Sequence, residues 1–118
     1  MGTPRPYTRA VIITTQRWRG WPVRRFLVTD HSMEPTLHPG DGLLATPYWP
    51  VRTGQIRCLP DPRQPGRWLV KRVGAIEAER MRVVSDNRSV PTSDSRAFGA
   101  VPVAGTYLVL IRVPGRFM

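Results

Sequence analysis

The only lysine of the 118-residue chain is Lys71, in the stretch WLVKRVG, whereas arginine occurs seventeen times. Arginine stays protonated in any protein setting, but a desolvated lysine can become neutral and accept a proton. Starting near ~10.4, a drop of about three units costs on the order of 4 kcal/mol and makes the amine a usable base near neutral pH. Ser32, in HSMEPTLHPGD, is the matching candidate on the other side of such a transfer. Its hydroxyl needs a base within hydrogen-bond reach to become a nucleophile. His31 and His38 are near in sequence, but adjacent residues on an extended chain point to opposite faces, which makes His31 an awkward partner for Ser32. The lone lysine is the alternative.

Both residues need rigid elements to hold them. If RWLVKRV is a strand, Leu69, Lys71 and Val73 share one side, and Trp68, Val70 and Arg72 share the other. Lys71 then sits between apolar neighbours, and burial lowers the pKa of an amine. The bland alternative is a lysine whose stem packs along the sheet with its head in solvent. Ser32 directly follows VRRFLVT, which reads as a strand, and precedes a segment constrained by Pro35 and Pro39. A serine at such a junction can project its hydroxyl from the sheet edge, with backbone N–H groups at the bend facing the same space.

The rest of the chain supplies short strands and turns. AVIITT is a strand, HPGDG at 38–42 a turn, LLAT a short apolar stretch, and DPRQPG at 61–66 a tight connection into RWLVKRV. AIEAERMRVV fits either one helical turn leading into a strand or a strand throughout. SDNRSVPTSDSR is too polar for a core strand and reads as a loop, and TYLVLIRV closes the chain as a buried strand. With 10 glycines and 13 prolines spread along it, the chain is expected to be mainly β, with short strands and little helix. There is no repeat, low-complexity tract or linker, so residues 1–118 are expected to form one domain.

Composition excludes several function classes. The charge of +10 raises nucleic acid as a partner, yet the arginines are scattered apart from Arg17, Arg19, Arg24 and Arg25. No helix-turn-helix pattern, paired metal-ligand cysteines or aromatic RNA-binding signature accompanies them, so no specific nucleic acid is expected. Cys58 is alone and cannot form an internal disulfide; it reads as a small buried hydrophobe. His31, His38 and Cys58 lack metal-ligand spacing, and no cofactor or metal is expected. The longest uncharged run, Ala97 to Ile111, is shorter than the ~20 residues a span needs and contains Gly99, Pro102 and Gly105. The N-terminus lacks a secretory pattern, so a cytoplasmic location is expected, with peripheral membrane contact through Trp18, Trp21 and nearby arginines as the most a bilayer would receive.

Four blocks then resemble the successive motifs of the type I signal peptidase family, in that family's order. They are Ser32-Met33-Glu34-Pro35-Thr36-Leu37 with Pro39-Gly40-Asp41; Val70-Lys71-Arg72-Val73; Ser85-Asp86-Asn87-Arg88; and Asp94-Ser95-Arg96 with Phe98-Gly99 and Val101-Pro102. Together they cover about residues 26 to 102. The resemblance implies the catalytic β-fold that signal peptidases share with LexA-like self-cleaving repressors. It implies a serine endopeptidase with a serine–lysine dyad that removes an N-terminal signal or pro-peptide. Carried onto this chain, Ser32 is the nucleophile and Lys71 the general base, a recognised variant of the serine-hydrolase arrangement. Thr92 best matches the hydroxyl that the family places beside its lysine, and Asp94 and Arg96 match a supporting salt bridge.

Two departures accompany the match. Many bacterial relatives have a hydroxyl two residues before the nucleophile to complete the oxyanion hole, and this chain has Asp30 there. An ionised carboxylate cannot donate, so the hole is expected to use the Ser32 backbone N–H with another donor such as Thr29. No stretch of the sequence reads as the membrane anchor of the housekeeping members, so none is expected. In length and motif spelling the chain is similar to the subgroup of nickel-type superoxide dismutase maturation proteases, which remove an N-terminal extension. The resemblance implies a precursor polypeptide with small residues before the cut as the partner, its extended chain adding to a sheet edge near VRRFLVT or Leu43 and Leu44. Two other classes are a self-cleaving repressor-type regulator, for which the N-terminal 25 residues are too few to hold a DNA-binding domain, and a noncatalytic basic nucleic-acid-binding module.

Overall fold

A computed structural model of the chain describes residues 11–14, 22–89 and 94–117. Eight strands carry it: β1 (Val11–Thr14), β2 (Arg24–Val28), β3 (Gly42–Thr46), β4 (Ile56–Pro60), β5 (Trp68–Glu77), β6 (Arg80–Val84), β7 (Val101–Pro102) and β8 (Tyr107–Val113). The one α-helix among the described residues, α1, is the single turn Ser95–Phe98. All strand pairs are antiparallel, in the order β1-β2-β3-β8-β4-β5-β6-β7. Because β1 also pairs with β5, Val11 opposite Trp68, the first six strands of that order close on themselves. The expected mainly-β fold is the one observed.

The long strand β5 divides the apolar interior. Val70, with Trp68 against it, belongs to a cluster containing Phe26, Val28, Met33, Leu43 and Cys58. Leu69 and Val73 belong to a second cluster with Leu59, Met81, Val83 and Val101. Alternating side chains thus serve two cores, as period-2 geometry requires, and Lys71 shares the Leu69 and Val73 side. At about 25 cal/mol per Å² of apolar surface, the two clusters are the main source of stability of so small a sheet.

Some elements differ from the sequence expectation. AIEAERMRVV is no helix: β5 runs to Glu77, the chain turns at Ala78 and Glu79 with φ +55° at Ala78, and β6 returns from Arg80. The cross-strand pairs Val73 with Val83 and Ile76 with Met81 hold it as strand, so tertiary pairing decided what local propensity left open. The strand Ile56–Pro60 carries no clear alternation and ends in proline, and pattern alone passed over it. TYLVLIRV is a strand but not a buried one: Leu110 is 48% and Ile111 52% exposed, in the part of β8 that runs past β4, whose pairing with it stops at Tyr107 and Leu108. Trp18 and Trp21 lie outside the described residues. No helix among the described residues is long and apolar enough to cross a membrane.

Candidate active site

The turn that carries Ser32 is fixed from both ends. Val28 closes it by donating to the Asp41 carbonyl (2.9 Å) and accepting from the Gly40 N–H (2.8 Å). Gly40 has φ +94°, a conformation that a residue with a Cβ rarely adopts, which explains glycine in HPGD. Within the turn, Met33 and Leu37 are buried in the Phe26 cluster and bridged by the Leu37 N–H to Met33 carbonyl bond of 2.9 Å. Ser32, beside the Met33 anchor, retains 6% exposure.

The segment after β6 clamps this turn from the side. Asn87 donates its backbone N–H to the Ser32 carbonyl (2.8 Å) and its amide to the His31 carbonyl (3.0 Å). One residue earlier, Asp86 accepts from Thr36 Oγ1 at 2.7 Å and from Arg72 at 2.8 and 2.7 Å in a two-point pair. The Arg72 bonds hold the Asp86 carboxyl below the usual carboxylate range. Arg72 is the neighbour of Lys71, so β5 and the nucleophile turn are tied together through Asp86.

Lys71 is 1% exposed and donates from Nζ to Ser85 Oγ at 3.0 Å. The register of β5 and β6, Arg72 opposite Val84, brings Ser85 across from Lys71 one step further along. Burial pushes the Lys71 pKa down; Asp30 and Asp94 oppose that, and Arg67 and Arg96 assist it. The net direction favours the neutral amine, the form that can take a proton.

Asp94, with no exposure, organises the far side of the lysine. It accepts the Ser85 N–H at 2.8 Å and pairs with Arg96, Nε to Oδ1 and Nη2 to Oδ2, both at 3.1 Å. It also caps α1 by accepting the Arg96 N–H at 3.0 Å. The next residue, Ser95, accepts the Val83 N–H with its hydroxyl at 2.7 Å. Two outward backbone donors of β6, at Val83 and Ser85, are therefore satisfied by side chains where β7 no longer reaches.

Around Ser32 the geometry differs from a reactive pair. Its Oγ–H donates to Asp30 Oδ1 at 3.0 Å, and its backbone N–H donates to the same oxygen at 3.1 Å. Serine and lysine are thus each engaged with another partner, and the N–H expected to face an oxyanion faces a carboxylate. Thr92 lies outside the described residues. The hydroxyl that does meet Lys71 is Ser85, which sequence reading quoted only as part of SDNR. A regular hairpin turning at Ala78 and Glu79, with Glu77 opposite Arg80, would set Asp86 opposite Lys71; the register shift between Val73 and Ile76 brings Ser85 there instead, and no sequence signal marked that shift.

Several other expectations are resolved by position. Strands β2 and β3 are each paired on both sides, so neither offers the free edge proposed for a substrate strand. Cys58 is buried among apolar residues, and that burial pushes its thiol pKa up, the opposite of activation. Glu34 Oε2 meets His31 Nδ1 at 3.0 Å and His38 Nδ1 at 3.3 Å on the surface, and the His31 bond is the main reason its carboxyl is held low. Among the described residues no group of three or more histidine, cysteine and acidic side chains is arranged to hold a metal ion.

A family model described as signal peptidase, peptidase S26, matches residues 9–90, a stretch that contains Ser32, Lys71 and Ser85. No curated protein and no solved structure matches the chain.

Proposed function

This chain belongs to the signal peptidase family, peptidase S26, and from that membership we propose that it is a serine endopeptidase in which Ser32 is the nucleophile and Lys71 its base. The observation that carries the reading is the state of the chain's only lysine: buried to 1% exposure, with its pKa lowered first by that burial, on a strand tied through Arg72 and Asp86 to the turn that carries Ser32. An arginine or an exposed lysine would stay charged at this position and could not titrate near neutrality.

The reaction follows from these groups. Ser32 Oγ attacks the scissile carbonyl while its proton passes to the neutral Lys71 amine; the tetrahedral intermediate collapses, Lys71 returns a proton to the leaving amine, and an ester on Ser32 remains. Water, deprotonated by Lys71, hydrolyses that ester. Ser85, accepting from Nζ, aims the amine, and Asp94 with Arg96 holds Ser85 through its backbone N–H. Asn87 and the Arg72–Asp86 pair hold the turn that carries Ser32, and the step requires the Ser32 hydroxyl to leave Asp30 for Lys71.

The substrate on this reading is a precursor polypeptide with small residues before the cut, and the motif spelling favours an N-terminal extension of a nickel-type superoxide dismutase precursor. The test is cleavage of such a precursor by the purified chain, Ser32→Ala and Lys71→Arg. Loss of cleavage in both, including the variant that preserves the positive charge, is the expected result. Cleavage retained in either variant refutes the dyad.

A further inference from the structure

Asp30 occupies the one place where a negative charge opposes the proposed reaction. Its Oδ1 takes both Ser32 hydrogens, the hydroxyl at 3.0 Å and the backbone N–H at 3.1 Å. A carboxylate is a far weaker base than a neutral amine, near ~3.9 against ~10.4, so it holds the hydroxyl proton without removing it. The same carboxylate sits on an N–H donor that an acyl-transfer intermediate needs for its own oxyanion, and two negative charges cannot share that donor. Ser32 as it stands gives its hydroxyl hydrogen to Asp30 rather than to Lys71, and its backbone N–H is occupied by the same oxygen.

We propose that Asp30 is a positioning residue that latches the nucleophile: in the free enzyme it holds Ser32 by hydroxyl and N–H together, and an arriving peptide displaces it before Ser32 turns to Lys71. The proposal rests on the peptidase reading above. Displacement is a local event, because Asp30 is half-buried and lies outside β2, at the start of the turn. The scissile carbonyl competes for the Ser32 N–H, and the Asp30 side chain is released toward solvent. Release also changes the lysine. The groups acting on Lys71 are Asp30 and Asp94, which favour its charged form, Arg67 and Arg96, which disfavour it, and Ser85, which accepts its bond. Moving Asp30 away removes one of the two charges that keep the amine protonated, so substrate entry both frees the hydroxyl and favours the base.

A purely structural role for Asp30 would be to shape the turn, since an aspartate side chain commonly accepts the N–H two residues on. Asparagine serves that role equally well but carries no charge, and this separates the two explanations. The experiment uses the full chain with its single lysine labelled with ¹³C at the ε-carbon, which gives one resonance, in the parent, Asp30→Asn and Asp30→Ser. The Lys71 titration midpoint and the pH profile of precursor cleavage are read on the same samples. The latch predicts a lower midpoint in both variants and a kcat at neutral pH raised about 3- to 10-fold, as the hydroxyl is freed and the neutral share of the amine grows. The acid limb of the profile should move with the midpoint, and cleavage by the variants but not the parent would be its strongest form. An unchanged or lowered kcat in Asp30→Asn overturns the latch, whether or not the midpoint moves, and leaves Asp30 as a turn former. Absence of cleavage in all three, with Lys71 still titrating, fails the peptidase reading itself and takes the latch with it.

Discussion

Lys71 Nζ and Ser85 Oγ lie 3.0 Å apart across the β5–β6 hairpin, both buried. A bond of this kind aims the amine, which otherwise has four rotatable bonds to explore. On the proposed mechanism Ser85→Ala is expected to lower kcat about 10- to 100-fold with little change in KM, since its hydroxyl is bonded to Lys71. Ser85→Thr, which keeps the hydroxyl, should recover most of the loss. A KM effect with kcat intact would mean that Ser85 binds peptide instead.

The buried lysine weakens the fold it serves. Its folded pKa is depressed by burial, so between that value and the unfolded ~10.4 the unfolded chain binds more protons and stability rises with pH. Below the folded pKa the full cost of burying an ammonium is felt. Lys71→Met is expected to flatten this dependence and to raise stability at pH 7 by about 1 kcal/mol in urea unfolding, after the loss of the Ser85 bond. A variant less stable than the parent at pH 7, with the parent's slope, would show that the amine is well compensated where it sits.

The Arg72–Asp86 pair has the opposite sign. The folded Asp86 pKa is held down by Arg72, so the pair's stability is present above the unfolded carboxylate value near ~3.9 and is lost as pH falls through the folded value. Both side chains are partly exposed, which limits the pair to about 1 kcal/mol. Arg72→Met should cost that amount at pH 7, reduce the loss on acidification, and lower cleavage because the Thr36 end of the nucleophile turn is also held by Asp86. Equal urea midpoints for parent and variant at pH 7 would remove the pair from the account of how the turn is fixed.

What could be read from the sequence follows the range of the interactions involved. β1, β2, β5 and β8 were legible from apolar, β-branched runs, β3 only as the short apolar stretch LLAT, and the placement of Lys71 with Leu69 and Val73 followed from alternation alone. Ser32 was legible because a strand ends and a proline-bounded turn begins there. The partner of Lys71 was not, because it depends on the register of two strands joined by a turn at Ala78, which has none of the usual turn residues. The Asp30 contact was hidden for another reason. An aspartate two residues before a serine states only that a donor is missing, and the shared oxygen at 3.0 and 3.1 Å emerges only with the backbone of the turn.

The side chains of Asp94 and Ser95 stand in for a ninth strand along β6, taking the N–H groups of Ser85 and Val83 where β7 ends after two residues. An open strand edge is a template for another chain, and this one runs up to Ser85 and Lys71. Asp94 and Ser95, by taking these two N–H groups, thus leave another chain less backbone to pair with along this edge. Replacing Asp94 would uncover a backbone N–H beside Lys71, and an inactive Asp94 variant has to be checked for self-association before its loss is ascribed to chemistry.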